Sequence, residues 1–129
     1  MQFENPRLAV LIVEDEALIR ALAVDIVEEA GLVAIEAANA DEAVAILEAR
    51  SDIAVLFTDI NMPGSIDGLK LAHAVRHRWP PIKIVMVSGK VQLTESDLPS
   101  DARFFSKPYQ ALKMVSELRS LVGWSEMQS

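Results

Sequence analysis

The runs LAVLIV at residues 8–13, IAVLFT at 53–58 and IKIVMV at 82–87 are dense in Val, Ile and Leu and lack the apolar–polar alternation of a half-wet strand. Such strands are buried on both faces, and the helical crossovers of a parallel sheet supply the two covering layers. The segments between the runs carry the helical signal. Leu18, Ile19, Leu22, Ala23, Ile26, Val27 and Ala30 recur at helical spacing, and Gly31 follows as a stop. Asn39, with Glu42 three residues later, reads as the N-cap of a helix through Ala43, Val44, Ile46 and Leu47. Asp67 and Gly68 precede a helix carrying Leu69, Ala72 and Val75, which Pro80 and Pro81 end near Trp79. Pro108, a favoured first helical position, opens the last helix, whose stripe of Leu112, Val115, Leu118, Leu121 and Val122 runs to Gly123. With short strands at 33–37 and 104–106, the expected fold is α/β: a flavodoxin-like, doubly wound sheet of five parallel strands in the order 2-1-3-4-5 with five helices.

In an open parallel sheet the polar crevice lies outside the carboxyl ends of the strands. The residues that follow the runs are Glu14 and Asp15, Asp59, Ser88 and Lys107, and the strand order puts the first pair beside Asp59. Carboxylates about 4 Å apart repel by roughly 4 kcal/mol per pair near a protein surface, so three of them call for a cation. Carboxylate oxygens, a backbone carbonyl and waters suit Mg²⁺, or Mn²⁺ in its place, and no thiolates or clustered imidazoles favour zinc. His73 and His77, spaced i to i+4, lack an evident third ligand. Lys107 adds a mobile positive charge and Ser88 a hydroxyl donor. A metal ion, an ammonium and a hydroxyl around one spare carboxylate make a receptacle for a phosphoryl group.

The chain has 129 residues, 51% of them apolar, which suits a single domain over residues 1–129 with its core at about 8–122. A net charge of −7 with scattered basic residues argues against direct nucleic-acid binding. There is no cysteine, no secretory signal pattern at the start and no apolar run of the roughly 20 residues that membrane insertion needs, so a cytoplasmic location is expected.

Four motifs in order, VEDE at 13–16, TDINMP at 58–63 with Asp67 and Gly68 after it, VSG at 87–89 and FSKP at 105–108, make the chain resemble the receiver domains of two-component response regulators, of the single-domain chemotaxis-regulator type. The resemblance covers residues from about 8 to 121. It implies that Asp59 accepts a phosphoryl group from a histidine kinase or histidine phosphotransfer protein. It also implies that Glu14, Asp15, Asp59 and the backbone carbonyl of Asn61 hold Mg²⁺. Ser88 would donate to a phosphoryl oxygen, Lys107 would pair first with Asp59 and then with the phosphoryl group, and Phe104 matches a switch aromatic. The Lys107–Pro108 bond is expected to be cis. Such a protein is a regulator of unidentified downstream partners rather than an enzyme. It would be a switch without its own effector domain, or a receiver from a larger regulator or hybrid kinase.

Two departures bear on output. The loop Gly64, Ser65 and Ile66 is one residue longer than usual, and the interval from Ser88 to Lys107 is about three residues shorter and contains Pro99. The fourth helix is therefore expected to be short or irregular. Ser88 replaces a commoner Thr, and Phe104 lacks the hydroxyl of a Tyr. A receiver-like interaction module that is not phosphorylated and a small Mg²⁺-dependent phosphohydrolase remain as alternatives. The hydrolase would need a general base, and the candidate site contains no histidine. A flavodoxin shares the topology, but no phosphate-cradling loop follows the first run.

Overall fold

A computed structural model describes residues 8–60, 68–89 and 95–123. The strands are β1 (Ala9–Val13), β2 (Val33–Ala37), β3 (Ile53–Asp59), β4 (Lys83–Ser88) and β5 (Arg103–Ser106), and the α-helices among the described residues are α1 (Ala17–Glu29), α2 (Ala40–Ala49), α3 (Gly68–Arg78) and α4 (Ala111–Leu121). The strands form one parallel sheet, as the apolar runs implied, in the expected flavodoxin-like order β2-β1-β3-β4-β5.

Alternate strand residues feed two cores. Leu11, Leu56, Ile84 and Met86 pack with Ala43 and Leu47 of α2 and Leu71 and Val75 of α3. Val10, Ile12, Phe57 and Val85 pack with Ile26 and Val27 of α1 and Met114 and Leu118 of α4 on the other face. The period of two along each strand makes this partition. Phe104 and Phe105, adjacent on β5, accordingly pack against opposite cores.

Local signals account for the helix ends. Asn39 accepts a hydrogen bond from the Glu42 amide at 2.8 Å, while the Glu42 carboxylate accepts one from the Ala38 amide at 2.8 Å. Gly31 takes the left-handed φ of 84° that stops α1. At the start of α3, the Gly68 amide donates to the Ile60 carbonyl, which draws the helix against the end of β3.

The last helix starts later than Pro108. The backbone is still extended at Gln110, the N-cap, because Tyr109 turns inward to pack at 6.2 Å from the Phe57 ring. At about 100° per residue, the later start and packing bury Met114, Val115 and Leu118 and leave Leu112 78% exposed. On α1 the apolar arc is wider than the sheet can cover. Ala23, Ile26 and Val27 are buried, whereas Leu18 and Leu22 face outward.

Between β4 and β5, where the fourth of the five expected helices would lie, the helical residues among those described are a single 3₁₀ turn, Glu95–Asp97. Helix α3 holds this connection: a His73 ring nitrogen hydrogen-bonds with the Asp97 carbonyl at 2.8 Å and Arg76 donates to the Ser100 carbonyl, while Arg76 also donates to the Pro80 and Ile82 carbonyls ahead of β4. Asn61, the Gly64–Ile66 loop and Asp67 lie outside the described residues. No helix among the described residues is long and apolar enough to cross a membrane.

Candidate functional site

Strands β1 and β3 are neighbours, with Val13 paired to Thr58, so the residues just beyond those positions meet. Glu14, Asp15 and Asp59 each offer a carboxylate oxygen, and the three atoms lie within 4.8 Å of one another. Glu14 and Asp59 are 4% and 6% exposed, so water does little to screen their repulsion. Asp15 is exposed and forms the open side. The N-cap of α1 is Glu16, without a side-chain cap, so Asp15 is not held there by capping.

Strand β4 lies on the far side of β3, with Asp59 opposite Val87, and brings in Ser88, 2% exposed. The Lys107 amide donates to the Ser88 carbonyl at 2.9 Å, which sets the lysine beside that strand end. Its ammonium reaches Asp59 Oδ2 at 3.0 Å and Glu14 Oε1 at 3.5 Å. The Lys107–Pro108 bond is cis, as expected. Phe104, opposite Met86 on β5, is half-buried against the α2/α3 core and outside the carboxylate cluster.

Glu14 carries the largest electrostatic strain. Burial raises its pKa to about 7, helped by the Asp59 charge and opposed by its bond from the Glu16 amide and by Lys107. Burial pushes the Lys107 ammonium down, but its hydrogen bond to Asp59 and the charges of Asp59 and Glu14 push it up further, so it is firmly cationic. The Tyr109 phenol is raised, chiefly by burial.

A carboxyl whose pKa is raised on folding binds more protons in the native than in the unfolded chain. The stability it contributes is full below its ordinary value of 4.5 and is lost as pH rises through about 7. Glu14→Gln is therefore expected to melt higher than the wild type at pH 8 without added divalent ions, the gap closing toward pH 5. Parallel melting curves across that range would show that Glu14 titrates normally.

Two neighbours of the site carry no motif. Arg20 Nη1 donates to the Glu14 carbonyl at 2.8 Å and its Nε to Glu36 Oε1 at 3.1 Å. Arg20 sits one helical turn beyond Glu16, where side chains lean back over the carboxyl end of β1, and that position is the only signal the sequence offers. Tyr109 borders both the cleft containing Glu14, Asp59 and Lys107 and an apolar groove of about 650 Å³ formed with Ile19, Leu22, Ile26 and Pro108.

The sequence matches the family model of the response regulator receiver domain over residues 10–119. It is 30% identical over 116 residues to the response regulator receiver protein CpdR of Brucella abortus, covering 88% of this chain and 95% of that one. It is 34% identical over 110 residues to the nitrogen assimilation regulatory protein NtrX of Azorhizobium caulinodans, covering 82% of this chain but only 24% of that longer protein. Among solved structures, the response regulator protein TrrA of Thermotoga maritima, in complex with Mg(2+)-BeF, superposes with a TM-score of 0.77 at 28% identity, covering 88% of this chain and 98% of that one.

Proposed function

The chain belongs to the response regulator receiver domain family and is a two-component signalling protein, and from that premise we propose that Asp59 accepts the phosphoryl group, with Glu14, Asp15 and Asp59 holding Mg²⁺. The observation that carries this reading is the position of Lys107, whose ammonium bridges Asp59 and Glu14 while Asp15 forms the open side of the cluster. The donor set, hard carboxylate oxygens with an open exposed side, fits an ion that keeps several waters. A relative solved with Mg(2+)-BeF supports the choice of ion. When bound, Mg²⁺ supplies positive charge against the phosphoryl oxygens.

The chain's own residues do the remainder. An Asp59 carboxylate oxygen attacks the phosphorus of a phosphohistidine in line with the departing imidazole nitrogen; the P–N bond breaks and a P–O bond forms. Lys107 moves its charge from Asp59 to the transferred group, and the Ser88 hydroxyl donates to one of its oxygens. Burial of Asp59 and Ser88 excludes competing hydrogen bonds from water. The donor is a histidine kinase or a histidine phosphotransfer protein. The groove beside Lys107, with Leu18, Leu22 and Leu112 exposed around α1 and α4, supports a protein donor over a small one. The Asn61 carbonyl completes the proposed ligand set. Ser88 and Phe104 are the proposed reporters of phosphorylation to a partner, and the exchange takes place in the cytoplasm. The protein acts on its own aspartate and not on a separate substrate, and the hydrolase reading gains nothing from His73, whose ring is engaged by the β4–β5 connection.

Asp15→Asn tests the ion's place. It removes the exposed ligand and leaves the buried pair intact, so Mg²⁺-dependent amide shifts near the crevice are expected to disappear while the fold persists. Equal responses in the variant and the wild type would remove Asp15 from the site.

A further inference from the structure

We propose that Arg20 is a positioning residue for the acidic triad: by bridging the Glu14 carbonyl to the Glu36 carboxylate it fixes the peptide that joins the two carboxylates at the end of β1. The inference rests on the reading that this triad holds Mg²⁺. Glu14 is anchored at four points: its amide donates to the Ala37 carbonyl, its Oε2 accepts from the Glu16 amide at 3.1 Å, its Oε1 meets the Lys107 ammonium at 3.5 Å, and its backbone carbonyl accepts from Arg20 Nη1 at 2.8 Å. The last contact is the one that holds the carbonyl of the Glu14–Asp15 peptide, and in the proposed role it sets that peptide's tilt. That tilt directs the Asp15 side chain, which is exposed and enclosed by no core packing.

The geometry separates this role from an ordinary surface ion pair. The Arg20 side chain is 20% exposed and Glu36 52% exposed, and a pair so wet contributes little by itself. A planar guanidinium can donate from Nη1 and Nε at once along fixed directions, so the strand-edge carboxylate serves to aim the other nitrogen at the carbonyl. Glu36 is well placed for this because β2 pairs with β1 at Ile12↔Glu36, two residues before Glu14. The Glu36 charge also offsets that of Arg20, so little net positive charge is left to repel a cation.

The test is a titration of the whole chain with Mg²⁺ alone, followed by amide shifts, together with acetyl phosphate labelling at varied Mg²⁺ and a melting temperature for each variant. For Arg20→Ala the half-saturating Mg²⁺ concentration is expected to rise about tenfold, the lower end of the range for partners that orient metal ligands. Arg20→Lys keeps the charge without the fork and recovers only part of that loss, and Glu36→Gln shifts in the same direction by less. The labelling rate at saturating Mg²⁺ stays within about twofold of wild type, since the reacting groups remain. A merely structural role would instead weaken Mg²⁺ binding and slow labelling at saturating Mg²⁺ together, with a lower melting temperature. Wild-type Mg²⁺ binding by Arg20→Ala, or full recovery by Arg20→Lys, overturns the proposal. Asp15→Asn in the same series isolates the premise: if it too binds as wild type, the metal reading fails and the positioning role with it, whereas its loss of binding beside an unaffected Arg20→Ala refutes Arg20 alone.

Discussion

Asp59→Asn is expected to take up no phosphoryl label from acetyl phosphate, the wild type reaching one acid-labile group per chain. The amide that replaces the carboxylate is not a nucleophile toward phosphorus at neutral pH, and it also removes the Oδ2 that holds Lys107 at 3.0 Å. Unfolding does not account for the loss. Removing one of two buried carboxylates relieves their mutual repulsion, and Lys107 keeps Glu14 as a partner at 3.5 Å. The variant is therefore expected to retain its circular dichroism spectrum and a melting temperature close to wild type. Intact-mass measurement after acetyl phosphate treatment reads the result. One-to-one labelling that persists in the variant would move the acceptor role to another carboxylate, and Asp15, the exposed member of the triad, is the first to examine.

The largest expected effect on stability comes from adding one methyl group. A Cβ on Gly68 would lie 1.9 Å from the Asp59 carbonyl oxygen, 2.7 Å from its carbon and 2.8 Å from Ile60 Cα. All three are backbone atoms of the β3 end, which sheet pairing to Val87 and the Ile60–Val87 hydrogen bond hold in place. Helix α3 must move away, opening the contact of Leu71 and Val75 with the core. Overpacking of this kind costs about 3 kcal/mol, equivalent to roughly 10 °C in melting temperature for a domain of this size. Because the collision involves Asp59 itself, Gly68→Ala is also expected to weaken Mg²⁺ binding. Gly89→Ala is the matched control: its Cβ would meet Lys107 Cβ at 3.6 Å, an ordinary contact, so a small effect is expected. Equal melting temperatures for the two variants would show that the α3 start is loose.

The acidic triad, Ser88 and Lys107 were legible as candidates because each lies at or within two residues of the end of a strand-like run, and a parallel sheet sends every strand's carboxyl end to the same edge. The capping pair Asn39 and Glu42 was equally legible, since capping is a contact over three residues and needs no partner from elsewhere in the chain. The parallel sheet followed from the same local facts, and its order is the flavodoxin-like one that a doubly wound sheet of five strands suggested. Unbroken apolar strands with helical crossovers leave few topologies, and β1, an interior strand between β2 and β3, is buried at every position.

Features that depend on how far each element sits from its neighbours were not legible. Leu18, Leu22 and Leu112 continue the apolar stripes of α1 and α4, and only the docking angle of each helix on the sheet turned them outward. The start of α4 waited on whether Tyr109 would pack against Phe57, a contact between residues 52 positions apart that no window of sequence contains. The bond from Arg20 to the Glu14 carbonyl needed both the helix pitch and the β1–β2 register. Glu14's pKa of about 7 needed its burial beside Asp59. The sequence by itself determined the elements, their order and the identity of the groups at the sheet edge, because period, capping and strand ends are short-range. Tertiary structure alone decided which apolar residues remain exposed, how the carboxylates are aimed and where Glu14 titrates, because packing angle, hydrogen-bond direction and desolvation exist only once distant segments meet.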